Sequence, residues 1–230
     1  MPLRIGITLG DCAGVGPEIV RAALDSKRLP VSAEYRLIGK YPKCDPGNPS
    51  PETARAAAAA LEEAVTLARR GELDAIVTGP VHKARMYEIG FKFPGQTEFF
   101  AERCGVINFA MLLTGGNMTV ALVTTHIPLK EVSHALKQSE IVRIGLLFVD
   151  FLRCRSNPAA AGPRIAVAGL NPHAGESGKL GREEIEIIAP AVAELNNQLS
   201  TTAGPARTNH EPVFDGPLPP DTLFHNLALE

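Results

Sequence analysis

Leu3-Arg4-Ile5-Gly6-Ile7-Thr8-Leu9-Gly10-Asp11-Cys12-Ala13-Gly14-Val15-Gly16-Pro17-Glu18 opens the chain with an apolar run, a glycine-rich turn, and a proline and acid suited to the first turn of a helix. A buried strand feeding a helix through a tight turn is the repeating unit of an α/β fold. The same grammar recurs downstream. Besides Leu3 to Leu9, the runs Tyr35 to Ile38, Ala75 to Thr78, Ala110 to Thr114, Thr119 to Thr124 and Arg164 to Ala168 read as buried strands. The clearest helix is Pro51 to Arg70, with Ser50 as N-cap, Pro51 at the first helical position, Glu52 in the first turn and Gly71 as stop. A second covers Ile141 to Arg153, and a third runs from Gly181 to about Leu199 with a kink at Pro190. Such alternation predicts a mostly parallel sheet covered on both sides. Tyr41 to Ser50 and Ser200 to Pro220 are rich in turn formers and read as surface loops, the second joining parts of the fold.

The 230 residues are 45% hydrophobic and 21% charged, with a mean hydropathy of +0.04, so the chain can bury a sizeable core. A net charge of -2 and a pI near 6.3 offer no basic face for nucleic acid or an anionic membrane, which leaves a small molecule as the expected partner. The N-terminus enters a strand without the pattern of a signal peptide, and no apolar run is long enough to span a bilayer. Cys12, Cys44, Cys104 and Cys154 form no C-x-x-C pair, which argues against a zinc knuckle or a thioredoxin-like motif. The chain reads as a cytoplasmic protein with free thiols.

Several segments could carry chemistry. The turn Gly10 to Glu18 invites a dinucleotide reading, but Ile19 stands where the third glycine of G-x-G-x-x-G belongs, and no Gly-Lys-Ser/Thr follows for a P-loop. A tight turn accounts for its glycines; Asp11, at a strand's carboxyl end, is the residue expected to line a cleft. Thr78-Gly79-Pro80-Val81-His82-Lys83 also follows a strand, where Lys83 is either a solvated lysine or a grip on phosphate or carboxylate. In Pro94-Gly95-Gln96-Thr97-Glu98-Phe99-Phe100 the start of a helix offers N–H groups to an anion, or Thr97 simply caps it. Thr124-Thr125-His126-Ile127-Pro128 and Gly169-Leu170-Asn171-Pro172-His173-Ala174-Gly175-Glu176 each end a strand, so both imidazoles should project from the same edge of one sheet, as a divalent-metal site requires. His82, His134, His210 and His225 read as ordinary loop or core histidines. Asp215 to Phe224 carries two carboxylates, of which Asp221 either caps a helix or stands beside a metal-bound hydroxyl.

Six blocks in order, Gly-Asp-x-Ala-Gly-Val-Gly-Pro-Glu, Thr-Gly-Pro-Val-His-Lys, Pro-Gly-Gln-Thr-Glu-Phe-Phe, Thr-Thr-His-Ile-Pro-Leu, Gly-Leu-Asn-Pro-His-Ala-Gly-Glu and Asp-Gly-Pro-Leu-Pro-x-Asp-Thr-Leu-Phe, resemble the motifs of the 4-hydroxythreonine-4-phosphate dehydrogenase family. The resemblance spans residues 10 to 224. It implies an α/β fold of two αβα domains similar to isocitrate and isopropylmalate dehydrogenases, with residues 1–105 (joined by part of 200–230) in one and 106–200 in the other. It implies a homodimer with an active site between domains at the subunit interface. The implied reaction is oxidation of 4-phosphooxy-L-threonine by NAD or NADP, with decarboxylation to 3-amino-2-oxopropyl phosphate for pyridoxal 5'-phosphate synthesis. His126 and His173 inherit the role of ligands to a divalent ion (Zn, Mg, Co or Mn), Gln96 and Thr97 that of substrate binding, and Asp221 that of an acid near the metal. Asp221 and Lys83 are the candidates for proton transfer and for gripping the substrate.

Two features depart from that family. Gln96 replaces its usual histidine; an amide can still hydrogen-bond a phosphate through its NH2, but carries no charge. The family's third metal histidine lies on a Tyr-His-Asp-Gln-Gly segment that does not occur before Glu230, so these residues alone are expected to bind metal weakly and turn over poorly. The rival readings are a dehydrogenase of a phosphorylated sugar acid (4-phosphothreonate or 4-phosphoerythronate), a dihydrodiol dehydrogenase, and an inactive binding or dimerisation module.

Overall fold

A computed structural model of the chain describes residues 2–116, 118–155, 162–202 and 212–229, with 226–229 described by backbone alone. Two compact units divide it, Met1–Ile107 and Asn108–Glu230.

The first unit runs β1 (Leu3–Thr8), α1 (Gly16–Asp25), β2 (Ala33–Ile38), α2 (Pro51–Arg69), β3 (Ala75–Thr78), α3 (Lys83–Glu88) and α4 (Gln96–Cys104). Its strands form a parallel sheet in the order β2-β1-β3. At the start of α2, Ser50 accepts from the Thr53 N–H while the Thr53 hydroxyl answers the Ser50 N–H, closing a capping box. Its buried stripe is Ala54, Ala57, Ala60, Leu61, Ala64 and Val65. Alanines there let the helix lie close to the sheet, α3 and α4. Phe91, Phe93, Phe99 and Phe100 pack as an aromatic cluster, with the Arg103 guanidinium over two of the rings. The Tyr41–Ser50 stretch contains no helix or strand, as its composition led one to expect.

The second unit runs β4 (Met111–Gly115), β5 (Met118–Leu122), α5 (Val132–Ala135), α6 (Gln138–Arg155), β6 (Arg164–Ala168), α7 (Ala189–Thr202), β7 (Val213–Leu218) and α8 (Pro220–Leu229). Three differences from the sequence reading stand out. First, β4 and β5 pair antiparallel as a hairpin, because only a short glycine-bearing turn separates them and a parallel pair needs a long crossover. Second, the stretch read as a loop from Ser200 onward contains β7, which pairs parallel with β6 and so packs its residues on the second unit rather than the first. Third, the break expected at Pro190 appears one turn earlier, as a π-helical turn at Glu184–Ile188 leading into α7. Proline has no N–H to offer the carbonyl four residues back, so the helix widens there. The core of this unit gathers Ile141, Val149, Ile165, Ile188, Leu195 and Phe214 from α6, β6, the π turn, α7 and β7.

Among the described residues, no helix is long and apolar enough to cross a membrane.

Candidate functional site

In the first unit the candidate residues gather at the carboxyl ends of β1 and β3. The two turns that follow these strands touch backbone to backbone: Asp11 N–H donates to Pro80 O at 2.9 Å and Gly79 N–H to Thr8 O at 2.8 Å. A Cβ at Gly10 would run into Pro80 O, and one at Gly79 into Leu9 O, so close approach explains these glycines. Asp11, expected to line a cleft, is instead 3% exposed; its Oδ1 accepts from the Ala13 N–H at 2.9 Å, and Oδ2 is buried without a hydrogen-bond partner. The Thr8 hydroxyl, at the end of β1, is also buried without a hydrogen-bond partner.

Lys83 is exposed at the start of α3, where His82 serves as N-cap: its Nδ1 accepts from the Arg85 N–H at 3.3 Å. The N-cap of α4 is Gly95, with no side-chain cap, so Thr97 sits inside the first turn and does not cap it. That leaves the first N–H groups of α4 without a side-chain acceptor at their cap. Gln96 donates an N–H to Gly79 O at 3.3 Å, and its Oε1 is buried with no partner. Because a carbonyl only accepts, the amide orientation is fixed, and what Gln96 holds in reserve at that oxygen is an acceptor.

In the second unit, His173 lies in the turn Pro172–Gly178, where residues 173 to 177 all have positive φ, between 44° and 78°. For residues other than glycine this conformation costs roughly 1–2 kcal/mol each. Glu184, 2% exposed, holds the approach to the turn: its carboxylate accepts from Leu170 N–H and Asn171 N–H, both at 2.7 Å, and from Asn171 Nδ2 at 2.9 Å. Burial pushes the Glu184 carboxyl up, but the hydrogen bonds from Asn171 and Leu170 outweigh it and hold the group below its ordinary value. Sequence reasoning missed this residue. The available signal was a carboxylate on the same buried face as Ile188, Ala191 and Leu195.

Asp221 reaches the same turn. α8 begins at Pro220, so Asp221 is in its first turn rather than at the cap, and its carboxylate accepts from the His173 N–H at 3.3 Å and meets His173 Nδ1 at 2.9 Å. Its own backbone N–H, opposed by burial and joined by the donors of His173, keeps the Asp221 carboxyl below its usual range. With Nδ1 donating to Asp221, His173 has Nε2 left as an acceptor or metal ligand, the arrangement that orients ligating imidazoles. Asp215, the other carboxylate of this stretch, is committed to Arg164 at 2.9 Å.

His126 is exposed on the segment after β5 and also has positive φ, 57°. β5 and β6 lie in separate sheets, so His126 and His173 do not share one sheet edge as the sequence reading expected. Among the described residues, no group of three histidine, cysteine, aspartate or glutamate side chains is placed to hold a metal ion. His134 and His225 are exposed on α5 and α8, on helices and not in the loops or core expected, and His210 lies outside the described residues.

Comparison with known proteins gives these arrangements their context. The family model for the pyridoxal phosphate biosynthetic protein PdxA matches residues 18–230. The chain is 42% identical to the 4-hydroxythreonine-4-phosphate dehydrogenase of Acidithiobacillus ferrooxidans, over 99% of this chain and 75% of that protein. Among solved structures, the 4-hydroxythreonine-4-phosphate dehydrogenase of Klebsiella pneumoniae superposes with a TM-score of 0.72 at 30% identity, covering 97% of this chain and 77% of that one. A terephthalate 1,2-cis-dihydrodiol dehydrogenase from Burkholderia xenovorans gives 0.61 at 26% identity, over 98% and 76%.

Proposed function

From membership of the PdxA family of pyridoxal phosphate biosynthetic proteins, to which this chain belongs, we propose that it oxidises 4-phosphooxy-L-threonine to 3-amino-2-oxopropyl phosphate, with loss of carbon dioxide. The chain is a dehydrogenase of a CH–OH group, and its α/β fold is of the isocitrate and isopropylmalate dehydrogenase kind. The finer assignments are NAD or NADP as hydride acceptor, a divalent ion, a homodimer and a cytoplasmic location. The single observation that carries the site assignment is the His173–Asp221 pair on a strained turn pinned by Glu184.

Imidazole and carboxylate are donor types that suit a divalent ion. His173, its ring held from the Nδ1 side, would be one ligand, with His126 the other candidate, although the described residues do not bring three such donors together. Once bound, the ion would acidify the substrate hydroxyl and polarise the ketone that follows. The chain's own work is placement. Asp221 meets the His173 ring at Nδ1, and Glu184 fixes the backbone at Leu170 and Asn171 that leads to it. The candidate for proton transfer is Asp221, whose carboxylate faces the His173 N–H and Nδ1. The uncapped first turn of α4, with Thr97, and the ammonium of Lys83 suit the anionic groups of the substrate. Gln96 presents an oxygen, which suits a hydroxyl or ammonium donor better than a phosphate.

That last point favours a second reading, a dehydrogenase acting on an unphosphorylated diol, in line with the dihydrodiol enzyme among the structural relatives. Turnover with NAD and a divalent ion should be measured on 4-phosphooxy-L-threonine, 4-phosphothreonate and a carboxylated cis-dihydrodiol side by side. Activity on the first supports the proposal, and activity confined to the diol replaces it. Asp221→Asn should weaken divalent-ion affinity about 10–100-fold, read by calorimetry, because the His173 ring loses its orienting acceptor; unchanged affinity removes His173 from the metal site.

A further inference from the structure

We propose that Cys12 and Cys44 are the two halves of an intramolecular disulfide, a covalent modification site that fastens the Tyr41–Ser50 loop to the turn between β1 and α1. That loop has no helix or strand, yet three contacts dock it on the turn. The Leu9 N–H donates to the Tyr41 hydroxyl at 2.8 Å, Gly47 N–H donates to Ala13 O at 2.8 Å, and the Cys44 thiol donates to Cys12 O at 2.9 Å. The Cys44 thiol thus lies against the main chain of Cys12, and Cys12 Sγ faces Pro42 O, two residues before Cys44, at 4.0 Å. The pair is invisible in sequence because 32 positions separate its members.

The two sulfurs differ in a way that orders the chemistry. Cys12 is 6% exposed, whereas Cys44 is half-buried. Burial first, and then the neighbouring thiol of Cys44, push the Cys12 thiol up to about 12, so little of it is thiolate at neutral pH. Cys44 is therefore the sulfur that meets an oxidant. With a small disulfide RSSR such as oxidised glutathione, the Cys44 thiolate attacks one sulfur, forming Cys44–S–S–R and releasing RS⁻. Cys12 then attacks Cys44 Sγ and displaces the second RS⁻, which takes up the Cys12 proton. Two protein thiols are oxidised, one RSSR is reduced to two RSH, and the balance closes. Cys104 and Cys154 are exposed, on α4 and α6, and react without a partner of this kind in view.

The test uses the full chain carrying Cys104→Ser and Cys154→Ser, so that only the pair remains. After incubation of the folded protein with excess oxidised glutathione, the intact mass should fall by two hydrogens and both thiols should vanish. Proteolysis should yield one peptide pair joined through Cys12 and Cys44, separable by reductant. With Cys44→Ser added, Cys12 should stay reduced. A glutathione adduct that persists on Cys44, or two thiols that survive treatment in a protein shown folded by circular dichroism, overturns the proposal.

Discussion

A carboxylate with 2% of its surface exposed is costly unless its lone pairs find donors, and Glu184 finds them on the segment that leads to His173. The strain of the left-handed turn persists because its surroundings over-determine it, which is how unusual backbone survives at functional sites. Glu184→Gln keeps the shape but turns an N–H2 toward groups that themselves donate. The substitution should cost about 1–3 kcal/mol, measured by urea unfolding. The acid dependence has a definite sign. Because the folded carboxyl titrates below its ordinary value of 4.5, its contribution is complete above that pH and disappears as pH falls through the lower folded value. Wild-type stability should therefore decline below about pH 4.5, and Glu184→Gln should flatten that decline; equal slopes in the two proteins would show that the buried carboxylate is not what acid attacks.

Elements show what a sequence states openly and what it hides. All six apolar runs became strands, and Ser50, Pro51 and Gly71 bounded α2, because burial and capping are local matters written in neighbouring residues. β7 stayed hidden because Asp215, Gly216 and Pro217 are poor strand formers, and only its parallel partner β6 makes that segment extended. The site divides in the same manner. His173 and Asp221 stood out through their strand-end and motif settings, whereas their contact across 48 positions, and the bond from Asn171 to Glu184, exist only once the chain has folded. Lys83 and Thr97 were legible as residue types, but which of them caps a helix was not: His82 and Gly95 take those positions. The crossing of the two strand-end turns is a packing fact of the same order. Gly79→Ala would force a methyl into the backbone at Leu9 and should destabilise the first unit by about 1–3 kcal/mol, seen as a lower urea midpoint. A neutral outcome would mean that the two turns part easily.

At the scale of the whole chain, each cluster of buried hydrophobic side chains among the described residues is drawn from a single unit. Ala54, Leu61, Val65, Met86 and Phe99 belong to one, and Ile141, Val149, Leu195 and Phe214 to the other. Calorimetry should resolve two transitions rather than one, since each core cooperates within itself. Phe99→Ala removes a ring 2% exposed from the aromatic cluster, and should lower one transition by the equivalent of about 3–5 kcal/mol while leaving the other in place. Both transitions moving together would contradict separate cores. Private cores also shape how the molecule fails. A fault in one half leaves the other standing, so past the weaker threshold a damaged chain would be half native and half molten. An antibody specific for the healthy half would still recognise it, while the ruined half adhered to its neighbours.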